Sequence, residues 1–309
     1  MLIGLVFISL ASISWGTTGA IMATLASETG IGPALVGWYR LAVAAPFLLL
    51  AAAAGELLAR RPVGRVSAGL VEAAVAPTAG GRVSHVTLGL AMAAYQVCYF
   101  RAVTLTGVAV AALIAICSAP LLISGLAALF LGERLTGRVR MALAMAVVGT
   151  GLLVAGPRGL RAIPGHFWLG ALLALGAGLS YAVYAVTAKA VVARMAPLRV
   201  AALTFTMAAV FLAPILLGER APLRMLAAGW PLLLYLGLGP TAIAYVLFTA
   251  GLRRVPASVA GIVSLLEPLT ASALGVIAFG ESLGPLGLTG AGLLLVSLAL
   301  LATARSRPA

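Results

Sequence analysis

The sequence predicts an all-α polytopic membrane protein of ten transmembrane helices in two inverted five-helix repeats. Three observations predict it. First, 63% of the 309 residues are hydrophobic and only 9% are charged. A soluble domain carries about 25% charged residues, so this chain cannot build a water-facing shell. Second, the apolar residues gather into runs long enough to cross a bilayer, which takes about 20 residues each. Third, the second half of the chain repeats features of the first in one register.

The runs come in order at roughly 2–26, 33–54, 84–104, 107–131, 138–156, 166–188, 199–217, 228–251, 256–279 and 284–303. Short links rich in Gly, Pro and Arg separate them, as expected between spans. The first begins "MLIGLVFISLASISWGTTGA", lacks a basic n-region and runs on past its small residues. It reads as a spanning helix and not as a cleaved signal peptide. The longest link, 55–83, holds "RRPVGRV" and "APTAGG" and has room for a short interfacial helix.

The net charge of +13 would suggest nucleic acid in a soluble protein. Here the basic residues stand singly between apolar runs and form no stripe, so no nucleic-acid partner is expected. With both termini placed in the cytoplasm, fourteen Lys and Arg fall on the inner side and five on the outer, with Arg40 near or within the second span. That asymmetry is the positive-inside rule, and it orients the chain.

Sliding the sequence by 148 lays "ICSAPLLISGLAALFLGE" (116–133) on "SLLEPLTASALGVIAFGE" (264–281). Pro120 meets Pro268, Ser124 meets Ser272, and Gly132-Glu133 meets Gly280-Glu281. Apolar composition alone would not bring these rarer residues into register. The halves divide at 157/158, giving units 1–157 and 158–309. Five crossings per unit leave the second inverted relative to the first, an arrangement typical of secondary transporters with alternating access.

These residues resemble the drug/metabolite transporter superfamily, in particular its ten-helix EamA-type members. The resemblance rests on "SWG" (Ser14, Trp15, Gly16), on "WYRLAVAAPFLLL" with Arg40, and on "YFRAVTLTGVAVAALIAICSAP". It rests also on the paired "P…GE" segments, with "LLEP" before the second. It implies export of small metabolites across a bacterial inner membrane, amino acids foremost. The 55–83 link is longer than that resemblance implies.

Within the spans, few residues carry chemistry. Glu267 is the only carboxylate inside one, and burying it costs at least ~2.5 kcal/mol at the bilayer centre. It is either a proton-coupling group, a partner for a substrate ammonium, or a pin for helix packing; the resemblance favours a shared coupling or structural role. Pro120 and Pro268 each remove a helical hydrogen bond and are candidate hinges. Trp15, Tyr95, Tyr99, Tyr181, Tyr184 and Tyr245, with the single glutamine Gln96, sit near span centres and are the candidate substrate-binding residues. Core packing is the rival reading for each.

Arg40 could pair with Glu28, bind a substrate carboxylate or snorkel to headgroups, with snorkelling or a structural pair the expectation; Glu133 and Glu281 are expected to cap or pair across loops. Cys98 and Cys117 read as inert thiols. His85 and His166 lack clustered partners, so no metal is expected. With no Asp, no Gly-Lys-Ser/Thr and no clustered catalytic set, an ATP-driven pump and an intramembrane enzyme are both disfavoured, and no cofactor is expected. The expected partners are a small-molecule substrate, the lipid bilayer and protons, with the chain a monomer or a weak homo-oligomer. An exporter of drugs or quaternary ammonium compounds driven by protons is the alternative function, and a pore is a further rival.

Overall fold

The computed structural model describes residues 1–59, 79–155, 167–218, 222–279 and 283–302. The helices are α1 (Leu2–Gly16), α2 (Thr18–Thr29), α3 (Pro33–Ala59), α4 (Ala79–Thr106), α5 (Val108–Leu131), α6 (Gly137–Ala155) and α7 (Phe167–Val191). Then come α8 (Pro197–Leu212), α9 (Pro222–Leu236), α10 (Ala244–Leu252), α11 (Ala257–Val263), α12 (Leu266–Phe279) and α13 (Gly284–Ala302). Among the described residues nine helical segments are long and apolar enough to cross a membrane. The 19-residue α6 lies along α13 and supplies the remaining span. The division at 157/158, any interfacial helix between 60 and 78, His166 and Glu281 lie outside the described residues.

The outer surface is apolar: Leu50, Leu129, Trp168 and Ile277 are all strongly exposed. In water such a surface would aggregate, whereas lipid accepts it. Inside, α1 packs on α10 and α12, α7 packs on α4 and α5, and α3 packs on α8. Small residues are prominent in the buried core, including Ala11, Ala174, Ala177, Ala182 and Ala188, each fully buried. Small side chains let backbones approach where lipid offers no hydrophobic drive for helix association.

Four spans are not the continuous helices that their apolar runs suggest. The first breaks at Thr17 into α1 and α2, with the Thr17 hydroxyl donating to Ser14 O at 2.7 Å. The seventh ends in a 3-10 turn, Ala213–Gly218. The eighth widens into a π-helical stretch, Gly237–Ile243, around Pro240. Proline has no N–H, so the carbonyl four residues back loses its partner. Here the Thr241 hydroxyl donates to Leu236 O at 2.7 Å and fills that place.

The ninth span breaks at Ser264–Leu265, between α11 and α12. Pro268 then falls in the first turn of α12, and the Ser264 carbonyl, which Pro268 cannot satisfy, accepts from Glu267 N at 3.0 Å. Its counterpart Pro120 behaves differently, since α5 runs unbroken through it. The two prolines share a register, but only the second accompanies a break.

Candidate functional site

The break before α12 decides where Glu267 sits. It is in the helix's first turn, where the macrodipole favours a negative charge. Gly16 brings α1 onto this turn. A Cβ at Gly16 would stand 2.7 Å from Glu267 O and 2.5 Å from Thr270 Cβ, so no side chain fits there. The "SWG" triplet thus seats Gly16 against the carboxylate's helix, with the indole of Trp15 immediately before it.

The candidate aromatic residues converge. The Trp15 ring lies 4.8 Å from Tyr245, 5.3 Å from Phe248 and 6.3 Å from Tyr181, centroid to centroid. Tyr95 stacks on Tyr99 at 5.9 Å and reaches Tyr181 at 6.0 Å. Tyr184 joins Tyr181 at 6.0 Å and Tyr245 at 5.8 Å. Four spans, two from each half of the chain, therefore contribute to one cluster. Ring pairs at such separations add about 0.5–1.5 kcal/mol beyond burial.

The cluster has a dry side and an accessible side. Tyr184 is fully buried, and Trp15 and Tyr245 nearly so. Tyr95, Tyr99, Tyr181 and Glu267 are only partly buried and keep accessible surface. Among the described residues, Trp15 Nε1 and the hydroxyl of Tyr184 are buried without a hydrogen-bond partner. Gln96 is buried too, at 3% exposure, but helix geometry turns it about 100° from Tyr95, and it takes no part in the ring cluster.

Arg40 corrects its sequence expectation. It does not snorkel and does not pair with Glu28, which is exposed at the far end of α2. It is 9% exposed, and its Nε donates to Thr241 Oγ1 at 3.0 Å. The proline break of the eighth span thereby anchors a guanidinium from the second. Thr241 lies one turn before Tyr245, so the guanidinium is held beside the ring cluster, and it forms no ion pair with Glu267.

A second polar cluster closes one end of the bundle. Gly132 ends α5 in the left-handed region (φ 67°), and Glu133 N bonds back to Ala127 O at 3.2 Å. The Glu133 carboxylate then crosses to α11. It accepts from Ala257 N at 2.6 Å, Ser258 N at 3.1 Å and Ser258 Oγ at 2.7 Å, capping that helix from another span. Nearby, Lys189 Nζ donates to Leu252 O at 2.6 Å and Val255 O at 2.8 Å. The Arg253–Pro256 turn is thus held from α5 and from α7 at once. The cap expected of Glu133 is present; Lys189, Thr241 and Phe205, whose ring lies 4.5 Å from Tyr245, were not singled out in the sequence.

The chain matches the model of the EamA-like transporter family twice, over residues 2–155 and 168–303. The chain belongs to the EamA-like transporter family. It is 35% identical over 298 residues to "Uncharacterized transporter YwfM" of Bacillus subtilis, covering 96% of this chain and 93% of that one. An uncharacterized transporter of Archaeoglobus fulgidus is 30% identical over 217 residues, 70% of this chain and 75% of its own length. A solved crystal structure superposes with a TM-score of 0.74 at 25% identity, covering 98% of this chain and 97% of that one. The protein is accordingly a multi-pass membrane transporter of the EamA family, and its substrate is a small molecule.

Proposed function

We propose that this EamA-family member is a secondary transporter of the plasma membrane, with both termini in the cytoplasm, that exports amino acids by alternating access. The observation that carries the proposal is the aromatic cluster. Trp15, Tyr95, Tyr99, Tyr181, Tyr184 and Tyr245 come from both halves of the chain and meet beside Glu267 and Arg40, near the centres of their spans. Binding sites at a repeat interface in mid-membrane are the pattern of secondary transporters.

Inversion of the two five-helix units, 1–157 and 158–309, is supported by the packing. Exchanging the first span with the sixth, the third with the eighth and the fourth with the ninth maps α1–α10 onto α7–α4 and α1–α12 onto α7–α5. The pairs α3–α8 and α6–α13 map onto themselves. Close approaches follow the same exchange: Gly4 abuts Arg254 and Val255, while Gly170 abuts Leu105 and Thr106. The end clamped by Glu133 and Lys189 is the basic one, so the positive-inside rule puts it in the cytoplasm.

In this reading the aromatic wall accepts an apolar side chain, Glu267 serves coupling, local structure or the substrate ammonium, and the Ser264–Leu265 break is the joint about which α11 and α12 shift. Export of quaternary ammonium compounds is the second reading. An aromatic box with one carboxylate suits cations, but the buried guanidinium of Arg40 opposes them. Uptake by proteoliposomes of a panel of labelled amino acids tests the site. Trp15→Ala and Tyr99→Ala are expected to change the preference among them. An equal loss for every amino acid would mean that the rings serve packing alone.

A further inference from the structure

We infer that Arg40 and Glu267 form the two poles of a site for zwitterions, the guanidinium taking a carboxylate and Glu267 taking an ammonium group, with the aromatic rings between them. This rests on the amino-acid reading above and makes it specific.

Arg40 is more than nine-tenths buried, and among the described residues its one hydrogen bond is from Nε to Thr241. The terminal nitrogens, which bind carboxylates in fork geometry, are left for another partner. A charge in a span costs several kcal/mol unless something offsets it, and residues that persist there mark binding or ion paths. The natural counter-charge, Glu267, makes no ion pair with it and stands across the rings: Thr241, which holds Arg40, lies one turn before Tyr245, whose ring is 4.8 Å from Trp15, and the neighbouring Gly16 abuts Glu267 O. Two opposite charges held apart inside one bundle are each under-satisfied. A single molecule carrying both charges satisfies both without leaving net charge in the membrane.

The scaffold fixes each pole. Thr241 is itself held by Leu236 O at the π-helical stretch, so the guanidinium hangs from a rigid irregularity of the eighth span. Glu267 stands on the first turn of α12, pressed by Gly16 of α1. Arg40 belongs to the first half of the chain and Glu267 to the second. A bound zwitterion would therefore bridge elements that must move relative to each other for access to alternate.

The test uses the reconstituted full chain and three probes: phenylalanine, phenethylamine, which lacks the carboxylate, and N-acetylphenylalanine, which lacks the ammonium. Phenylalanine is expected to compete for uptake better than either analogue by on the order of 100-fold, since a buried polar group left unpaired penalises the analogue. Arg40→Gln should narrow the gap to phenethylamine, and Glu267→Gln the gap to N-acetylphenylalanine. Arg40→Lys, which keeps the charge, should retain part of the preference. Either analogue matching phenylalanine on the unmodified protein overturns the inference alone. So does an equal loss of all three probes in both variants at unchanged melting temperature. A protein that moves a cationic dye and no amino acid overturns the amino-acid reading and this pairing together.

Discussion

Replacing Glu133 by alanine removes three hydrogen bonds, of 2.6, 3.1 and 2.7 Å, from the start of α11. Bonds to a charged group are worth about 1.5–3 kcal/mol each when dry. Here the carboxylate is half-buried, and water can replace part of what is lost. Cap substitutions cost about 0.5–2 kcal/mol, and Glu133 satisfies more donors than an ordinary cap. The upper end, about 2 kcal/mol, is therefore expected, or roughly a 30-fold rise in opening of the capped turn. Hydrogen exchange read by mass spectrometry on a peptide spanning 256–263 reports that opening directly. Glu133→Gln keeps an accepting oxygen and should cost about half as much. The reasoning fails if the alanine variant exchanges at the unmodified rate in that peptide, because the cap would then hold nothing.

Three further outcomes are expected. Gly16→Val places side-chain atoms where Glu267 O and Thr270 already stand and should sharply lower the folded yield in detergent, whereas Gly19→Ala, with nothing within 4 Å, should not; equal yields would contradict the close crossing. Tyr184→Phe removes a buried hydroxyl that has no partner among the described residues, so the melting temperature should hold or rise; a fall of several degrees would mean the hydroxyl is bonded in the membrane. Glu267→Gln should flatten the pH dependence of transport if the carboxyl carries the coupled proton. A normal rate with the original pH profile would remove it from coupling.

Much of the architecture was legible because membranes simplify the code. An apolar run of about 20 residues has few alternatives to a helix, and the Pro and Gly-Glu pairs exposed the repeat. The aromatic candidates were legible for a related reason: rings near span centres are not belt residues, so they need interior company. What escaped was decided by local hydrogen bonds. Arg40 looked like a snorkelling residue because only the folded chain brings Thr241 to its Nε. The clue was present in Gly239-Pro240-Thr241, where a hydroxyl beside a proline can fill the missing donor's place. Pro120 and Pro268 look equivalent in sequence, yet α5 runs through the first and the chain breaks before the second. Lys189 could not be assigned, since its acceptors are carbonyls 63 and 66 residues away.

The central claim is that the aromatic cluster of Trp15, Tyr95, Tyr99, Tyr181, Tyr184 and Tyr245 marks a site that carries amino acids by alternating access. Counterflow measures this most directly, with purified protein in liposomes screened against amino acids, cationic dyes and sugars. The account predicts saturable exchange of amino acids, inhibited competitively by one another. Non-saturable flux of all three classes, or saturable exchange confined to dyes or sugars, would contradict it.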